Sequence, residues 1–376
     1  MDRPIRVLGV ETHWKTNGDK VVTSGVDFAR IVQPLTELSK NPDFEIKIVK
    51  NPFDGNDETW DSLTKYYDII YSSYIDSPEG YVNMAVQAKK NNCKVIVDID
   101  DHLWEIPKAS PVYATYHIGS FPLDVVSKVL EDVSYMTTTN SHLKYEFVTY
   151  LSKDPKDIHI IPNYIDLDFY DKKTIPESKR DNIVIGFFGS NTHVVDIMMP
   201  EYLNALARIC REFPNVEYRT IGLFLPQIKT KLGSQYSFLL GHADVNSWAS
   251  VLWPKMMSEI DIFTAPLLDT NFSKCKSHIK MMEIGAGAKP AVFSDIRQYR
   301  EVIEHGKNGF LASTESEWYS YLKELVLSEQ KRRSVGEAIY KKVSDKWQMK
   351  DGVNRYAEYF KDVYNGKKTS FLIDNN

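Results

Sequence analysis

Two successive series of short β-rich apolar runs, each alternating with helical patterns, constrain this chain more than any other feature. The first series is IRVLGV (5–10), FEIKIV (44–49), YDIIYSS (67–73), CKVIVDID (93–100), YMTTT (135–139) and IHIIP (158–162), with helix-like stretches such as 26–39 and 80–91 between them. Short Val/Ile/Tyr/Thr runs spaced by amphipathic helices are repeated βα units, and such units build a parallel sheet. After a polar, Lys-rich stretch at 171–181 the pattern restarts with NIVIGFFG (182–189), VEYRTIG (216–222), YSFLL (236–240), DIFTAP (261–266) and PAVFSD (290–295), among helices near 197–213, 248–259 and 278–287. The expected fold class is therefore α/β, with two Rossmann-like doubly wound domains facing across a cleft, and a length of 376 residues suits two cores better than one. We place the domains at 1–175 and 176–345. The segment 346–376 follows, and in it Trp347–Tyr364 reads as an amphipathic helix packing back on the first domain, with Tyr356, Tyr359, Phe360 and Tyr364 on one side.

The ends and the cysteines bear on location. The opening MDRPIRVLGVETHW lacks the basic-then-apolar layout of a signal peptide, and no run approaches the roughly 18 apolar residues of a membrane span. Cys93, Cys210 and Cys275 are odd in number and far apart, which fits a reducing compartment, so a cytoplasmic protein is expected. Residues 1–170 carry 17 Lys+Arg against 26 Asp+Glu, whereas residues 171–376 carry 29 against 25. The acidic half repels phosphate backbones on average; the second half tolerates a diphosphate.

The densest chemistry lies between Lys274 and Asp295 (KCKSHIKMMEIGAGAKPAVFSD). Ser277 is placed to cap a helix whose free N–H groups face an anion, and Lys274, Lys276 and Lys280 add positive charge there, as a diphosphate requires. Glu283 lies about two turns in, near the helix face of Lys276 and Lys280, where a carboxylate can accept both hydroxyls of a ribose. The competing reading is a surface helix with solvated lysines and a Gly-rich end.

Here the chain resembles the GT-B glycosyltransferases, specifically the large retaining group called family 4. The resemblance rests on residues 274–295, on Asp261–Pro266 before them and on EVIEHGKNGFL (301–311) after them. It implies that Glu283 holds the donor ribose and that the preceding turn, with Lys276, Ser277 and Lys280, meets the diphosphate. One departure stands out: where many members carry a second glutamate eight residues earlier, this chain has Cys275. The turn GFFGSNTH (186–193) resembles the family's strand-then-turn at the donor phosphates, with Gly189 and Ser190 supplying N–H donors and His193 the nearest basic residue, followed by the uncharged Val194.

In the first half the resemblance points to the strand end VIVDIDDHLWEIP (95–107), where Asp100, Asp101 or His102 would hydrogen-bond the transferred sugar. Helix capping is the alternative for these carboxylates, and Asp98-x-Asp100 also looks like the metal-binding DxD of the other glycosyltransferase fold. Ser24 and Gly25 resemble the family's small-residue turn on the acceptor side, although Ser24 equally suits a helix cap. The resemblance implies transfer from a nucleotide-sugar, expected to be a UDP-sugar, with retention and with no cofactor or obligatory metal. The expected acceptor is a glycan or lipid-linked glycan. Alternatives left open are a hydroxymethylated DNA base, as for some bacteriophage enzymes, a UDP-sugar epimerase, and a non-catalytic sugar-nucleotide or nucleic-acid binding protein.

Overall fold

The structure is a computed structural model describing residues 3–12, 14–17, 20–50, 57–73, 78–177, 180–239 and 252–368. The 369–376 tail, Leu240 of the expected strand at 236–240, and residues 248–251 of the expected helix at 248–259 lie outside the described residues.

Two six-stranded parallel sheets form the frame. The first is made by β1 (Ile5–Glu11), β4 (Phe44–Lys50), β5 (Ile69–Ser73), β6 (Lys94–Asp98), β7 (Tyr135–Thr138) and β8 (Ile158–Ile160) in the order β4-β1-β5-β6-β7-β8. A small antiparallel hairpin, β2 (Trp14–Asn17) with β3 (Lys20–Thr23), follows β1. The second sheet is made by β9 (Ile183–Phe188), β10 (Val216–Ile221), β11 (Tyr236–Leu239), β12 (Ile262–Ala265), β13 (Ala291–Ser294) and β14 (Phe310–Ala312), in the order β11-β10-β9-β12-β13-β14. Central strands such as β5, β12 and β13 are buried at every residue, which is why they read as continuous apolar runs rather than alternating ones. In each sheet the chain winds outward from its first strand, then returns to that strand's other side. The winding reverses between β1 and β5 and between β9 and β12, and ligands of such sheets bind at the carboxyl ends of those strands.

Helices cover both sheets. The helix Met349–Tyr364 buries Tyr356, Tyr359, Phe360 and Val363 in the same apolar cluster as Ile5, Val7, Ile31 and Leu35 of the first domain, leaving Tyr364 exposed. The two chain crossings between the domains run side by side, with Ile165 N–H donating to Trp347 O (2.8 Å) and Met349 N–H to Ile165 O (2.9 Å). Among the described residues no helix is long and apolar enough to cross a membrane.

The first long helix contains an unexpected feature. Residues Gly25–Leu38 are helical, but Phe28–Val32 is a π-helical stretch just ahead of Pro34. A proline cannot donate to the carbonyl four residues back, so a wider turn at this point relieves the ladder. Arg30 sits in that turn and points into the first domain's interior.

Candidate active site

On the second domain the site begins where β9 ends. Gly189 N–H donates to Ile221 O at 3.0 Å, fastening the turn after β9 to the end of β10. Gly222, at φ +90°, lies so close that an added Cβ would sit 2.3 Å from Gly189 O. Only glycine fits this approach, which leaves Ser190 exposed at the carboxyl edge of the sheet. Ser190 Oγ and Thr192 Oγ1 are 2.7 Å apart. His193 places Nδ1 3.0 Å from Asp196 Oδ2, and Asp196 Oδ1 accepts from Leu268 N–H at 3.0 Å. Burial pulls the His193 imidazole down to about 4, against the opposing pull of Asp196, so at neutral pH it is an uncharged ring rather than a phosphate-neutralising cation.

Two short helices follow β12, Asn271–Cys275 and Ile279–Ala286. The structure corrects one expectation here. Ser277 does not cap the second helix: the chain is still turning through 276–278, His278 occupies the cap position, and Ser277 Oγ accepts from Asn163 Nδ2 of the first domain at 2.8 Å. Lys280 is on the first turn and reaches back to β9, donating from Nζ to Phe188 O at 2.5 Å and lying 4.1 Å from the Phe188 ring centroid. Burial lowers Lys280 to about 8, partly countered by Glu283, while Lys276 pushes the same way as burial. Half-buried Glu283 stands one turn further along the same helix as Lys280. Lys274, by contrast, pairs with Asp269 at 3.0 Å.

From the first domain comes the end of β6. Asp98 is fully committed: Arg30 donates to both its oxygens (Nε to Oδ1 3.0 Å, Nη2 to Oδ2 2.7 Å), and Tyr71 and Thr137 hydroxyls also donate to Oδ2. Asp98 and Asp100 therefore do not present one shared ligating face. Asp100 is half-buried. Burial, with Asp101 and Asp98 nearby, pushes it up to about 7 against the pull of Arg30 and Lys276. Asp101 Oδ1 lies 3.2 Å from Lys276 Nζ, across the domain boundary. Burial disfavours the Lys276 charge, but Asp101 outweighs it and the ammonium is held above its usual range. His102 is set apart from this group. It is fully buried, with Nε2 3.6 Å from Glu146 Oε2 and its ring against Tyr150, and burial lowers its pKa. Ser24 does act as a cap, accepting from Asp27 N–H at 3.0 Å, and exposed Gly25 has nothing within 4 Å of an added Cβ.

Cys275, at the place of the family's other glutamate, does not face the cleft: its side chain joins the first domain's apolar core and its carbonyl accepts from Asn140 Nδ2 at 2.7 Å. Asn271 Oδ1 meets His142 Nε2 at 2.8 Å beside it. The structure thus gathers Asp100 and Asp101 with Lys276, and Gly189 with Lys280. The sequence reading missed Arg30, Asn140, His142 and Asn163. Only Arg30 left a signal, a charge set among Phe28, Ala29, Ile31 and Val32, four residues before Pro34.

Residues 182–327 match the family model described as glycosyl transferases group 1. The chain carries a group 1 glycosyl transferase domain. By that domain it is a glycosyltransferase, and the residues around Gly189, Lys276, Lys280 and Glu283 all fall inside it. Solved structures share the two-domain fold along nearly the whole chain. HepE from Anabaena, solved with UDP-glucose, aligns with a TM-score of 0.66 at 16% identity, over 95% of this chain and 100% of that chain. A glycosyltransferase from Rickettsia africae gives 0.66 at 12% identity over 96% and 98%, and sucrose-phosphate synthase from Thermosynechococcus elongatus gives 0.65 at 11% over 96% and 100%. Among curated proteins none matches the chain by sequence.

Proposed function

We propose that this glycosyltransferase moves a sugar from a UDP-sugar to a glycan or lipid-linked glycan hydroxyl, with retention at the anomeric carbon and with no obligatory metal. One observation carries the reading: the ion pair of Lys276 with Asp101 joins the group 1 domain to the first domain beside Lys280 and the Gly189 turn. A uridine diphosphate on the second domain has its phosphates at the Gly189–Ser190 turn and the two lysines, and its ribose on Glu283. The sugar then points across to Asp100 and Asp101. As the glycosyl–phosphate bond breaks, negative charge grows on the diphosphate and positive charge on the sugar. The lysines stabilise the first and the carboxylates the second, more strongly in the transition state than before it. HepE, with the same fold, is solved with UDP-glucose, which supports the choice of donor.

The test is a thermal-shift panel of UDP-, GDP-, ADP- and dTDP-sugars with and without EDTA. A ligand at 100 times its dissociation constant stabilises the fold by about 2.7 kcal/mol. An EDTA-insensitive shift confined to the UDP series, abolished by Glu283→Ala, is the expected result. A shift that EDTA removes returns the reading to metal-assisted transfer, and no shift with any sugar nucleotide rejects the donor assignment.

A further inference from the structure

The segment 271–278 of the second domain is joined to the first domain at three places. In the middle is the Asp101–Lys276 pair. On one side Asn140 and His142 hold Cys275 O and Asn271. On the other side runs a continuous polar chain: Asp98 grips Arg30, Arg30 Nη1 donates to Asn163 Oδ1 at 3.0 Å, and Asn163 Nδ2 donates to Ser277 Oγ at 2.8 Å.

We propose that Asn163 is a positioning residue which, on the glycosyltransferase reading above, sets the Asp100–Asp101 turn against Lys276 and Lys280 by tying Ser277 to the buried Arg30–Asp98 pair. The chemistry of the chain fixes its direction. A guanidinium can only donate, so Asn163 must offer Arg30 its carbonyl oxygen, and its amide N–H₂ is thereby aimed at Ser277. The anchor is stiff, because Arg30 and Asp98 are wholly buried, doubly bonded to each other, and Arg30 Nη1 also donates to Ile161 O at 2.8 Å. Asn163 itself is buried and stands two residues before Ile165, where the chain crosses between domains. A rotation of one domain against the other at that crossing therefore strains the neutral Asn163–Ser277 bond while the charged pair behind it holds. The ends of the chain, Asp98 and Ser277, lie close in sequence to Asp101 and Lys276, so this bond and the ion pair fix the same spacing.

The experiment compares Asn163→Ala, Ser277→Ala, Ser277→Thr and the double Asn163→Ala/Ser277→Ala variant. It measures kcat for the UDP-sugar that the panel selects, the dissociation constant of UDP, and hydrogen exchange across residues 276–286. Misplacement of a reacting pair costs rate rather than affinity. Each alanine variant is expected to lose roughly tenfold or more in kcat while UDP affinity stays within about twofold. Ser277→Thr, which keeps the hydroxyl, restores activity, and the double variant is no worse than the poorer single, as two halves of one link require. Exchange across 276–286 rises in both alanine variants. Should Asn163→Ala fail to fold, Ser277→Ala and its threonine rescue carry the test. Unchanged kcat and exchange overturn the proposal, and so does weaker UDP binding in Ser277→Ala alone with additive losses, which makes Ser277 a direct phosphate contact. A wild-type protein that turns over no UDP-sugar rejects the transferase reading; the exchange measurement then decides alone whether Asn163 ties the two segments.

Discussion

Lys276 Nζ stands 3.2 Å from Asp101 Oδ1, one residue in each domain, and it also lies 4.4 Å from the Phe272 ring centroid. The Asp101 side chain is 37% exposed and that of Lys276 19%, so the pair sits partly covered at the edge of the cleft rather than in a core. Exposed pairs contribute about 0–1 kcal/mol to stability, whereas a donor aimed at charge that develops in a transition state is worth about 10²–10³ in rate. Lys276→Met is therefore expected to lower kcat roughly a hundredfold while the melting temperature moves by no more than a few degrees. Steady-state kinetics beside a melting curve checks both, and a large melting shift with an intact kcat would make the pair purely structural.

Asp100 gives stability a pH dependence. Its folded-state pKa, pushed up to about 7, lies above the ordinary carboxylate value, so between the two the folded protein binds more protons than the unfolded chain. Stability is thus lost as pH rises through that window and is flat above it. Asp100→Asn removes the effect. It is expected to exceed the wild type in stability at pH 8 by on the order of 1–2 kcal/mol, with the gap closing toward pH 4. Urea titrations at pH 4.5, 6 and 8 measure it, and a gap that does not change with pH rejects the raised pKa.

The paired sheets were legible because their signals are local. Apolar runs such as YDIIYSS and DIFTAP set β5 and β12, and the Gly186–Gly189 and Lys276–Glu283 patterns marked the carboxyl edge beside β9 and β12. Ser277 was misread because a serine before a helical pattern is a cap by local rules, while its true partner, Asn163, is 114 residues away. Cys275 gave no sign that it would enter the other domain's core, since one buried thiol looks the same in any apolar context. Asp98 read as half of a DxD motif because Arg30, which occupies it, comes from a different βα unit 68 residues earlier. Site features that depend on two domains meeting leave little trace in either half alone.

Lys280 predicts coupled proton uptake. With its pKa lowered to about 8 by burial, the free enzyme loses this charge as pH rises above 8. A bound diphosphate favours the ammonium and raises its pKa, so UDP binding near pH 9 takes up a proton and weakens as pH climbs further. Calorimetry in two buffers of different ionisation enthalpy should show uptake approaching one proton at pH 9 and little at pH 6.5. Lys280→Met abolishes the difference, and uptake that survives in that variant assigns the proton to another group.

Gly222 is a steric test of the phosphate turn. At φ +90°, with Gly189 O 2.3 Å from where a Cβ would stand, Gly222→Ala must displace the Gly189 turn or strain its own backbone. UDP affinity is expected to fall roughly tenfold for a loss of about 1–3 kcal/mol of stability. Gly233→Ala is the control: its φ is also positive (+59°) but its added Cβ meets nothing within 4 Å, so its UDP affinity stays unchanged. Equal UDP affinities in Gly222→Ala and the wild type would remove the Gly189 turn from the donor site.

Cys275 offers a clock for domain opening. All three thiols are buried, and burial pushes Cys93 and Cys210 up to about 12 and Cys275 upward as well, so none reacts from the closed native state at pH 8. Their routes to solvent differ. Cys93 and Cys210 lie in cores built by their own domains, whereas Cys275 belongs to the second domain and is covered by the first. Separation of the domains exposes Cys275 without unfolding either sheet, an opening cheaper than the global one. In a disulfide-reagent time course the first thiol to react is expected to be Cys275, identified by peptide mapping, with the other two following only in denaturant. Saturating UDP-sugar, by bridging Lys280 and Glu283 to Asp100 and Asp101, is expected to slow that first phase several-fold. If all three thiols instead react together at the rate of global unfolding, the interface at Cys275 opens only when the whole fold does, and closure over the donor is then confined to loops within a rigid pair of domains.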